Sequence, residues 1–452
     1  MLLRSRNLPL IVFAAAGLLL SVKADGRFPF PEGLSETTFQ LLLLPYSIGF
    51  FCVVLFFFLK LPNASSAGTE ARPPGCPDPR LAAGIGFAFQ MMIFLILIWE
   101  NKKYAGFGYH LNLAVAGVVM FTGAAALTRL AVSEKGKAFE FFLTAIAIFA
   151  AVSLISIAFF PLHPQRSDML PLIQAACERF LAGNNPYTPY QLPHTLPLTY
   201  LPGLWMSYLP GVFVGLDPRV TNAVSILASM IVIYRSAAAE QKNMVACFCG
   251  AFLMIPYLLY RHEIYLGVFW LALSMVLYFE SRNRWIRTSV FLGIAASMSQ
   301  FAWILIPFFL IAIFRKWNRR VALISTGLCG VTASVIVLPF AFHSPDNFLN
   351  GVFAHWEGVL NITTINFSFF ILRLLPVDDL KYLQMILVLI LYWFAWRDRR
   401  REKIYAYATI ALMLFVLFNS VIWVYFYLTV LLLMIFSLVQ AQKELRAEKN
   451  LA

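Results

Sequence analysis

Charged residues are scarce in this chain. Asp, Glu, Lys and Arg make up 13% of its 452 residues, whereas soluble domains contain about a quarter. Hydrophobic residues make up 60%, and long apolar runs recur from end to end. A bilayer core about 30 Å thick needs about 20 such residues per helical crossing. The composition excludes an ordinary soluble protein and predicts an all-α, polytopic membrane helix bundle of about 13–14 transmembrane helices.

Three further absences narrow the class of protein. The six cysteines have no spacing typical of a metal site or a disulfide framework. No internal repeat is evident, so an inverted-repeat transporter has no support from the sequence. The centres of the predicted helices contain almost none of the charged or polar residues that would mark a path across the membrane. The lack of a repeat and the apolar helix centres count against a transporter.

Acidic residues are fewer than basic ones, 22 against 35, which gives a net charge of +13. The basic residues gather in short connectors, as at 282–287, 315–320 and 397–403. Such connectors are typical of the cytoplasmic loops of membrane proteins. The charge therefore indicates a membrane topology and argues against nucleic-acid binding, although Lys102 and Lys103 fall on the external side of that topology.

The topology divides the chain into three regions. Residues 1–140 are predicted to form an N-terminal transmembrane extension. Residues 141–440 are predicted to form a membrane domain with two long external loops, 161–218 and 341–378. Residues 441–452 are predicted to form a cytoplasmic tail. Residues 1–24 have a basic start, a short apolar stretch and a small-residue cleavage site, which is typical of a signal peptide. The same residues fit an uncleaved first helix equally well.

Segment 288–314 has basic clusters at both of its ends. A single helix cannot begin and end on the same side of a membrane. We therefore predict a hairpin of two short helices with its tip near Gln300. Further tips at 261–263 and 419–420 are also external, so several tips and both long loops collect on the non-cytoplasmic face. A site built there would use residues that are far apart in the sequence.

The external loop 161–218 is too long and too apolar to be a simple linker. Within it, 169–182 has apolar residues at helical spacing and predicts a helix lying in the membrane interface, which Gly183 ends. A second apolar piece, 200–214, has both ends outside, so it lies on or dips into the membrane surface. The prolines between the two pieces block helix propagation and make a rigid bridge.

Asp168 lies at the start of this loop, just past the predicted helix 141–160. An acid at the membrane surface, beside two apolar surface helices, can act as a general base. It would take a proton from a hydroxyl held in a partly dry cleft. The position alone also fits a solvated loop carboxylate or a helix N-cap.

The order of motifs in this loop resembles that of a known family. Asp168 is followed by GNNPY at 183–187 and then by YLPGL at 200–204. This order is similar to that of the integral-membrane glycosyltransferases of the GT-C fold. It is closest to the polyprenol-phosphate-mannose-dependent mannosyltransferases and the related arabinofuranosyltransferases, whose loop carries an Asp, then G-x-N-P-Y, then Y-P-P-L. The chain keeps one of the two prolines of the last motif, and Gln300 stands where the family usually has Lys.

The resemblance implies a GT-C-like fold and an inverting glycosyltransferase. The enzyme would move mannose, or another hexose or pentose, from a polyprenyl-monophosphate donor to an acceptor hydroxyl on the non-cytoplasmic face, with Asp168 as general base. Cationic side chains could stabilise the leaving phosphate, so no cofactor is expected, and a divalent metal stays open. The implied location is a bacterial inner (plasma) membrane, in many passes, with the site on the periplasmic side.

The resemblance also implies partners and site residues. The partners are a polyprenyl-phosphate-linked sugar, a glycan or glycolipid acceptor and membrane lipid. The candidates for binding the donor phosphate are external polar residues: Arg261, His262, Arg219 and Gln300. The candidates for the acceptor cleft are Asn185, Tyr187, Tyr200, Glu263 and Trp356. No residue set has the spacing of a metal site. Each arginine also fits contact with lipid headgroups, and Trp356 also fits a membrane-interface tryptophan.

Two rival functions stay open at this point. One is a transporter or flippase of lipid-linked sugars, against which the apolar helix centres count. The other is a non-catalytic GT-C-like protein that binds lipid. Gln300 favours this second alternative, because the change from Lys removes a cationic contact to the donor phosphate.

Overall fold

The computed structural model describes most of the chain from residue 138 onwards. The described residues are 138–159, 162, 164, 168–192, 195–255, 258, 264–354, 380–398, 400, 403–419 and 425–449. The predicted transmembrane helices before 138, the tip 261–263 and most of the loop 341–378 lie outside them.

The described part of the chain contains fourteen α-helices and one small antiparallel sheet. The helices are α1 Ala138–Phe159, α2 Met169–Leu181, α3 Pro202–Met206, α4 Leu209–Phe213, α5 Pro218–Ser236, α6 Lys242–Leu253, α7 Gly267–Ser281, α8 Trp285–Met298, α9 Gln300–Lys316, α10 Arg319–His343, α11 Pro345–Val352, α12 Lys381–Arg397, α13 Ile404–Phe418 and α14 Phe426–Lys449. The strands are β1 Tyr190–Gln191 and β2 Thr195–Leu196, within the proline-rich bridge. The prediction of a mainly helical fold is confirmed.

Two of the described helices, α1 and α10, are long and apolar enough to cross a membrane. The 25 residues of α10 extend about 37 Å at the usual rise of about 1.5 Å per residue. Shorter apolar helices are α6, α7, α8, α13 and the first part of α14.

The predicted hairpin at 288–314 is present as α8 and α9. Ser299 separates the two helices in an extended conformation, with φ −151° and ψ 137°. Its hydroxyl oxygen accepts a hydrogen bond from the backbone N–H of Phe301 at 3.3 Å and so caps α9. The turn therefore comes one residue before Gln300, close to the predicted tip.

The core is built by helices that are distant in the sequence. Helix α7 packs against α5 and α8, α8 packs against α10, and α13 packs against α9, α12 and α14. The indole N–H of Trp270 on α7 donates to the hydroxyl of Thr429 on α14 at 2.9 Å. This contact joins the middle of the chain to its last helix.

The basic connectors meet at one end of the helices. Lys316, at the end of α9, forms an ion pair with the buried Glu280 at 2.8 Å, and Gln440 on α14 donates to the same carboxylate. Arg315 donates to the carbonyls of Ala395 and Trp396 at 2.8 and 2.6 Å. These carbonyls belong to the last turn of α12 and lack partners within their own helix.

The opposite end gathers the loop segments. Phe301, at the start of α9, contacts Phe426 edge to face at 4.5 Å between ring centroids. Tyr187 in the loop meets Phe348 on α11 at 4.9 Å. The hairpin tip, the start of α14, the loop after α2 and α11 are therefore neighbours, although they span more than half of the described sequence.

Helix α2 forms where predicted but packs differently. Gly183 ends it with φ +77°, a conformation that glycine adopts at no steric cost. Most of the apolar face is buried against protein, including Leu170, Ile173 and Ala176, while Phe180 and Leu181 at the last turn are exposed. Amphipathic spacing predicts an apolar neighbour without specifying whether it is lipid or protein.

Two further boundaries differ from the prediction. The apolar piece 200–214 is two short helices, α3 and α4, because Pro210 near the start of α4 favours a new helix start. At the other end of the chain, α14 continues through most of the predicted tail to Lys449. The tail sequence is rich in Gln, Lys, Glu, Leu, Arg and Ala, all strong helix formers, so the helix has no local reason to stop.

Candidate active site around Asp168

Asp168 occupies the N-cap position of α2. Its backbone carbonyl accepts a hydrogen bond from the N–H of Leu172 at 2.9 Å. Its side chain makes no capping hydrogen bond and is half-buried. The carboxylate is therefore not used to stabilise the helix that it begins, unlike that of a typical N-cap aspartate.

The charge of Asp168 acts on two tyrosines, Tyr200 and Tyr265, and Tyr425 packs against the second. The rings of Tyr200 and Tyr265 lie 4.6 Å apart, and those of Tyr265 and Tyr425 lie 5.6 Å apart. Burial raises the pKa of both Tyr200 and Tyr265 well above the ordinary value for a phenol, and the negative charge of Asp168 raises both further. The carboxylate of Asp168 and the two phenols are therefore electrostatically coupled.

The chemistry available to this cluster follows from these shifts. Phenols with raised pKa values keep their protons at neutral pH, so Tyr200 and Tyr265 can donate hydrogen bonds but cannot act as bases. Asp168 contributes a carboxylate, whose oxygens can accept such hydrogen bonds. A carboxylate beside neutral donors, next to apolar helices, is an arrangement suited to taking a proton from a bound hydroxyl.

The loop that carries Tyr200 is held by its own aromatic residues. The hydroxyl of Tyr187 donates to the carbonyl of Tyr200 at 2.9 Å, and the indole N–H of Trp205 lies 3.4 Å from that hydroxyl. The side-chain oxygen of Asn185 accepts from the N–H of Tyr187 at 2.9 Å. Two of the predicted cleft residues, Asn185 and Tyr187, therefore shape the loop and support the third, Tyr200.

The guanidinium of Arg219 is bound by other groups of the protein. Asp217 caps α5 and accepts hydrogen bonds from the guanidinium of Arg219 at 2.6 and 3.0 Å. The same guanidinium donates to the carbonyl of Ser156 in the last turn of α1 at 3.3 Å. Arg219 is buried and joins α5 to α1, so in this arrangement its guanidinium is committed to protein partners rather than presented to a phosphate.

Gln300 is half-buried at the tip of the hairpin. Its amide N–H donates to the carbonyl of Val352, the last residue of α11, at 3.2 Å. Next to it on α11, Gly351 lies so close to the carbonyl of Leu198 that an added Cβ would come within 2.5 Å. Gln300 therefore ties the tip to α11, and α11 lies directly on the loop before Tyr200.

The remaining predicted site residues, Arg261, His262, Glu263 and Trp356, lie outside the described residues. Sequence reasoning missed Tyr265, Tyr425 and Asn222. Tyr265 lies two residues after the predicted tip 261–263, and Asn222 is an amide within an apolar helix, so the sequence contained a feature that could have pointed to each of them. Tyr425 had none, because its partner is 160 positions away. In the described part of the chain, no three His, Cys, Asp or Glu side chains are placed to hold a metal ion.

Fold and site together define a helical bundle with two helices able to span a membrane and an aspartate among tyrosines at one end. Comparisons with protein-family models, curated proteins and solved structures found no match to this chain. Asp168 and its surroundings are therefore the basis for assigning a function.

Proposed function

We propose that the chain is an integral-membrane glycosyltransferase. It would transfer mannose, or another hexose or pentose, from a polyprenyl-monophosphate donor to a hydroxyl of a glycan or glycolipid acceptor. The observation that carries the proposal is the carboxylate of Asp168, which makes no capping hydrogen bond and whose charge acts on the half-buried Tyr200 and the buried Tyr265. The order of Asp168, GNNPY and YLPGL in one loop supports the same assignment.

In the proposed reaction, Asp168 takes the proton of the acceptor hydroxyl. The hydroxyl oxygen forms a bond to the anomeric carbon of the sugar, while the bond from that carbon to the phosphate oxygen breaks. The polyprenyl phosphate leaves with the electron pair, and the configuration at the anomeric carbon inverts. A well-placed general base contributes about 10²–10⁴ to the rate of such a step.

The proposal also includes a multi-pass arrangement in a bacterial inner membrane, with Asp168 on the periplasmic side. Support comes from the separation of the two ends of the bundle. Lys316, Arg315 and the connector around Asp398 meet at one end. The aromatic residues around Asp168 lie at the other, which is the pattern of basic cytoplasmic loops and an external site.

Two contacts favour a second candidate, a non-catalytic protein that binds a lipid-linked sugar. Arg219 is engaged by Asp217, and the neutral Gln300 is hydrogen-bonded to Val352. Both were candidates for binding the donor phosphate. A site with less positive charge at the leaving group would bind the lipid but stabilise the transition state less.

The test uses membranes that contain the full chain and a radiolabelled polyprenyl-phosphate sugar. We expect the wild-type protein to form a labelled product and Asp168→Asn to lower the rate about 10²-fold or more. Asp346→Asn is the matched control, because Asp346 is an exposed acid in the first turn of α11. Equal rates for the two variants would refute the role of Asp168. Donor binding without transfer by wild-type protein would favour the second candidate.

A further inference from the structure

Asn222 is a buried amide on α5, one turn after Arg219, with 3% of its surface exposed. Its side-chain oxygen accepts a hydrogen bond from the backbone N–H of Gly267 at 2.8 Å. The same oxygen lies 3.3 Å from the hydroxyl of Tyr208, which donates to the carbonyl of Tyr265 at 2.8 Å. The amide oxygen of Asn222 therefore holds the backbone at the start of α7 directly, and it lies next to the hydroxyl by which Tyr208 holds Tyr265.

The contact between Asn222 and Gly267 leaves little freedom for the start of α7. A Cβ at Gly267 would come within 2.5 Å of the side-chain oxygen of Asn222 and 2.6 Å of its backbone oxygen. Helix α7 packs along α5 over its length, so this close approach is part of an extensive interface. The hydrogen bond and this close approach place the start of α7 directly against Asn222.

Two residues before Gly267, Tyr265 carries this constraint to the site. Its ring lies 4.6 Å from that of Tyr200, and the charge of Asp168 acts on both phenols. Tyr200 is held separately through the hydrogen bond from Tyr187 to its carbonyl. Helix α2, which Asp168 begins, also packs against α5. Asn222 and Asp168 are thus connected through one buried tyrosine and a shared helix.

We propose that Asn222 is a positioning residue for Asp168. Its amide oxygen sets the place of Tyr265, and Tyr265 sets the direction in which the carboxylate of Asp168 faces the acceptor hydroxyl. Asn222 itself touches neither the substrate nor the reacting atoms. The catalytic part of this proposal rests on the glycosyltransferase function, whereas the positioning itself does not.

Two substitutions of Asn222 separate the effect of its side-chain oxygen from the effect of its size, and a third variant is the control. Asn222→Leu keeps a similar volume but leaves the N–H of Gly267 without an acceptor, whereas Asn222→Asp keeps the oxygen. Arg219 lines the same small cavity as Asn222, so the charge of Asn222→Asp has a cation nearby. Ser229→Ala is the matched control. Ser229 is buried two turns further along α5 and donates to the carbonyl of Ser225 in its own helix at 2.7 Å.

We expect Asn222→Leu to lower kcat about 10–100-fold and to leave KM within about two-fold, because small displacements of a catalytic group cost rate rather than binding. Asn222→Asp and Ser229→Ala should stay within about three-fold of the wild-type kcat. A folded Asn222→Leu protein with the kcat of Ser229→Ala, or an Asn222→Asp protein as slow as Asn222→Leu, would overturn the proposal.

A second measurement does not need sugar transfer. In an Asp168→Cys background, a methanethiosulfonate reagent reports how the side chain at position 168 is presented. Asn222→Leu should change its modification rate several-fold, and Ser229→Ala should not. If the wild-type protein transfers no sugar, the glycosyltransferase function fails while this rate still decides the positioning. Equal rates in both variants would refute the positioning. If Asn222→Leu does not accumulate, Asn222→Ala replaces it in both measurements.

Discussion

Three aspartates in this chain occupy similar places at helix ends but have different environments. Asp217 caps α5 and pairs with Arg219. Asp398 follows α12 and accepts hydrogen bonds from Arg400 and Tyr407. Asp168 begins α2 without a side-chain capping bond and lies beside phenols. At the scale of the residue, the surroundings of the carboxylate, and not its place at a helix end, decide whether it stabilises the fold or is available for chemistry.

Asp398 provides a test through pH. Partial burial raises the pKa of its carboxyl group, but hydrogen bonds from Arg400 and Tyr407 outweigh burial and lower the pKa from 3.8 to about 2. A carboxyl group with a lowered pKa in the folded state stabilises the protein above its unfolded pKa. We therefore expect Asp398→Asn to lower the stability by about 1 kcal/mol at pH 7.

The same linkage gives the pH window for Asp398. The stabilising contribution should be complete above about pH 4 and lost as the pH falls towards about 2. Thermal unfolding of purified wild-type protein and Asp398→Asn, measured between pH 7 and pH 2.5, should show a difference in Tm that shrinks below about pH 4. A difference that is constant with pH would contradict the role of the charged carboxylate.

Sequence reasoning at the residue scale worked where the partners are local. The position of Asp168 before a helix and the end of that helix at Gly183 were both predicted, because capping depends on neighbouring residues. The pairing of Arg219 with Asp217 was not predicted, although Asp-Pro-Arg is a typical helix start. Contacts such as that between Tyr265 and Tyr425 were not predictable, because they depend on how distant helices pack.

At the scale of the helix, two glycines show how close packing is distributed. Gly293 on α8 faces α10, where an added Cβ would come within 2.5 Å of the carbonyl of Cys329 and 2.7 Å of the Cβ of Thr332. Gly327 on α10 has nothing within 4 Å of an added Cβ. The first glycine is required by a helix crossing, and the second is not.

We expect Gly293→Ala to destabilise the protein by about 1–3 kcal/mol, because the methyl group must push α8 and α10 apart. Gly327→Ala should leave the stability unchanged or raise it by up to about 1 kcal/mol, since alanine is the better helix former. Thermal unfolding of both variants in detergent is the measurement. A Gly293→Ala protein as stable as Gly327→Ala would show that the two helices can separate freely.

Helix boundaries were predicted best where the sequence contains its own stop signals. Helix α13 is found at Ile404–Phe418, between a basic connector and Asn419, so signals in the sequence mark both of its ends. Helix α6 ends at Leu253, within a longer apolar run. Pro256 follows shortly after and disfavours helical conformation in the residue before it. The hydrophobic run continues past this point, so hydropathy alone overestimates the length.

At the scale of the whole molecule, the apolar surface is distributed unevenly. The apolar residues of α14 up to Val439 are buried, whereas α10 and α12 expose many large apolar side chains. Within α10, the buried residues are Ser325 and Cys329. Apolar helices with their polar residues inside and their apolar residues outside are expected where the surrounding medium is lipid.

A charge on the outer face of α10 tests this interpretation. Val331 is 61% exposed near the middle of the helix, and Leu349 is 49% exposed on α11. If lipid covers α10, Val331→Asp places a carboxylate in hydrocarbon at a cost of about 3 kcal/mol. We expect this variant to accumulate in membranes to a lower level than Leu349→Asp and to unfold at a lower temperature in detergent-free bilayers. Equal accumulation and stability would show that lipid does not cover this face of α10.

The overall architecture was predictable only in outline. Composition and basic connectors predicted a helical chain that alternates in direction, because these features depend on hydropathy and charge alone. They did not predict which helices are neighbours. That pairing depends on close approaches such as Gly293 to Cys329 and on polar contacts such as Trp270 to Thr429, whose partners are 36 and 159 positions apart.

The amide of Gln440 is one of the groups that satisfy the buried Glu280. Shortening the protein ahead of this position would leave a carboxylate in the interior with one donor fewer, at a cost of several kcal/mol for a charged group. Fluorescent or affinity tags should therefore be appended after the final residue rather than substituted for the last helix. In expression screens of C-terminal deletions, we expect proteins that end before Gln440 to accumulate poorly.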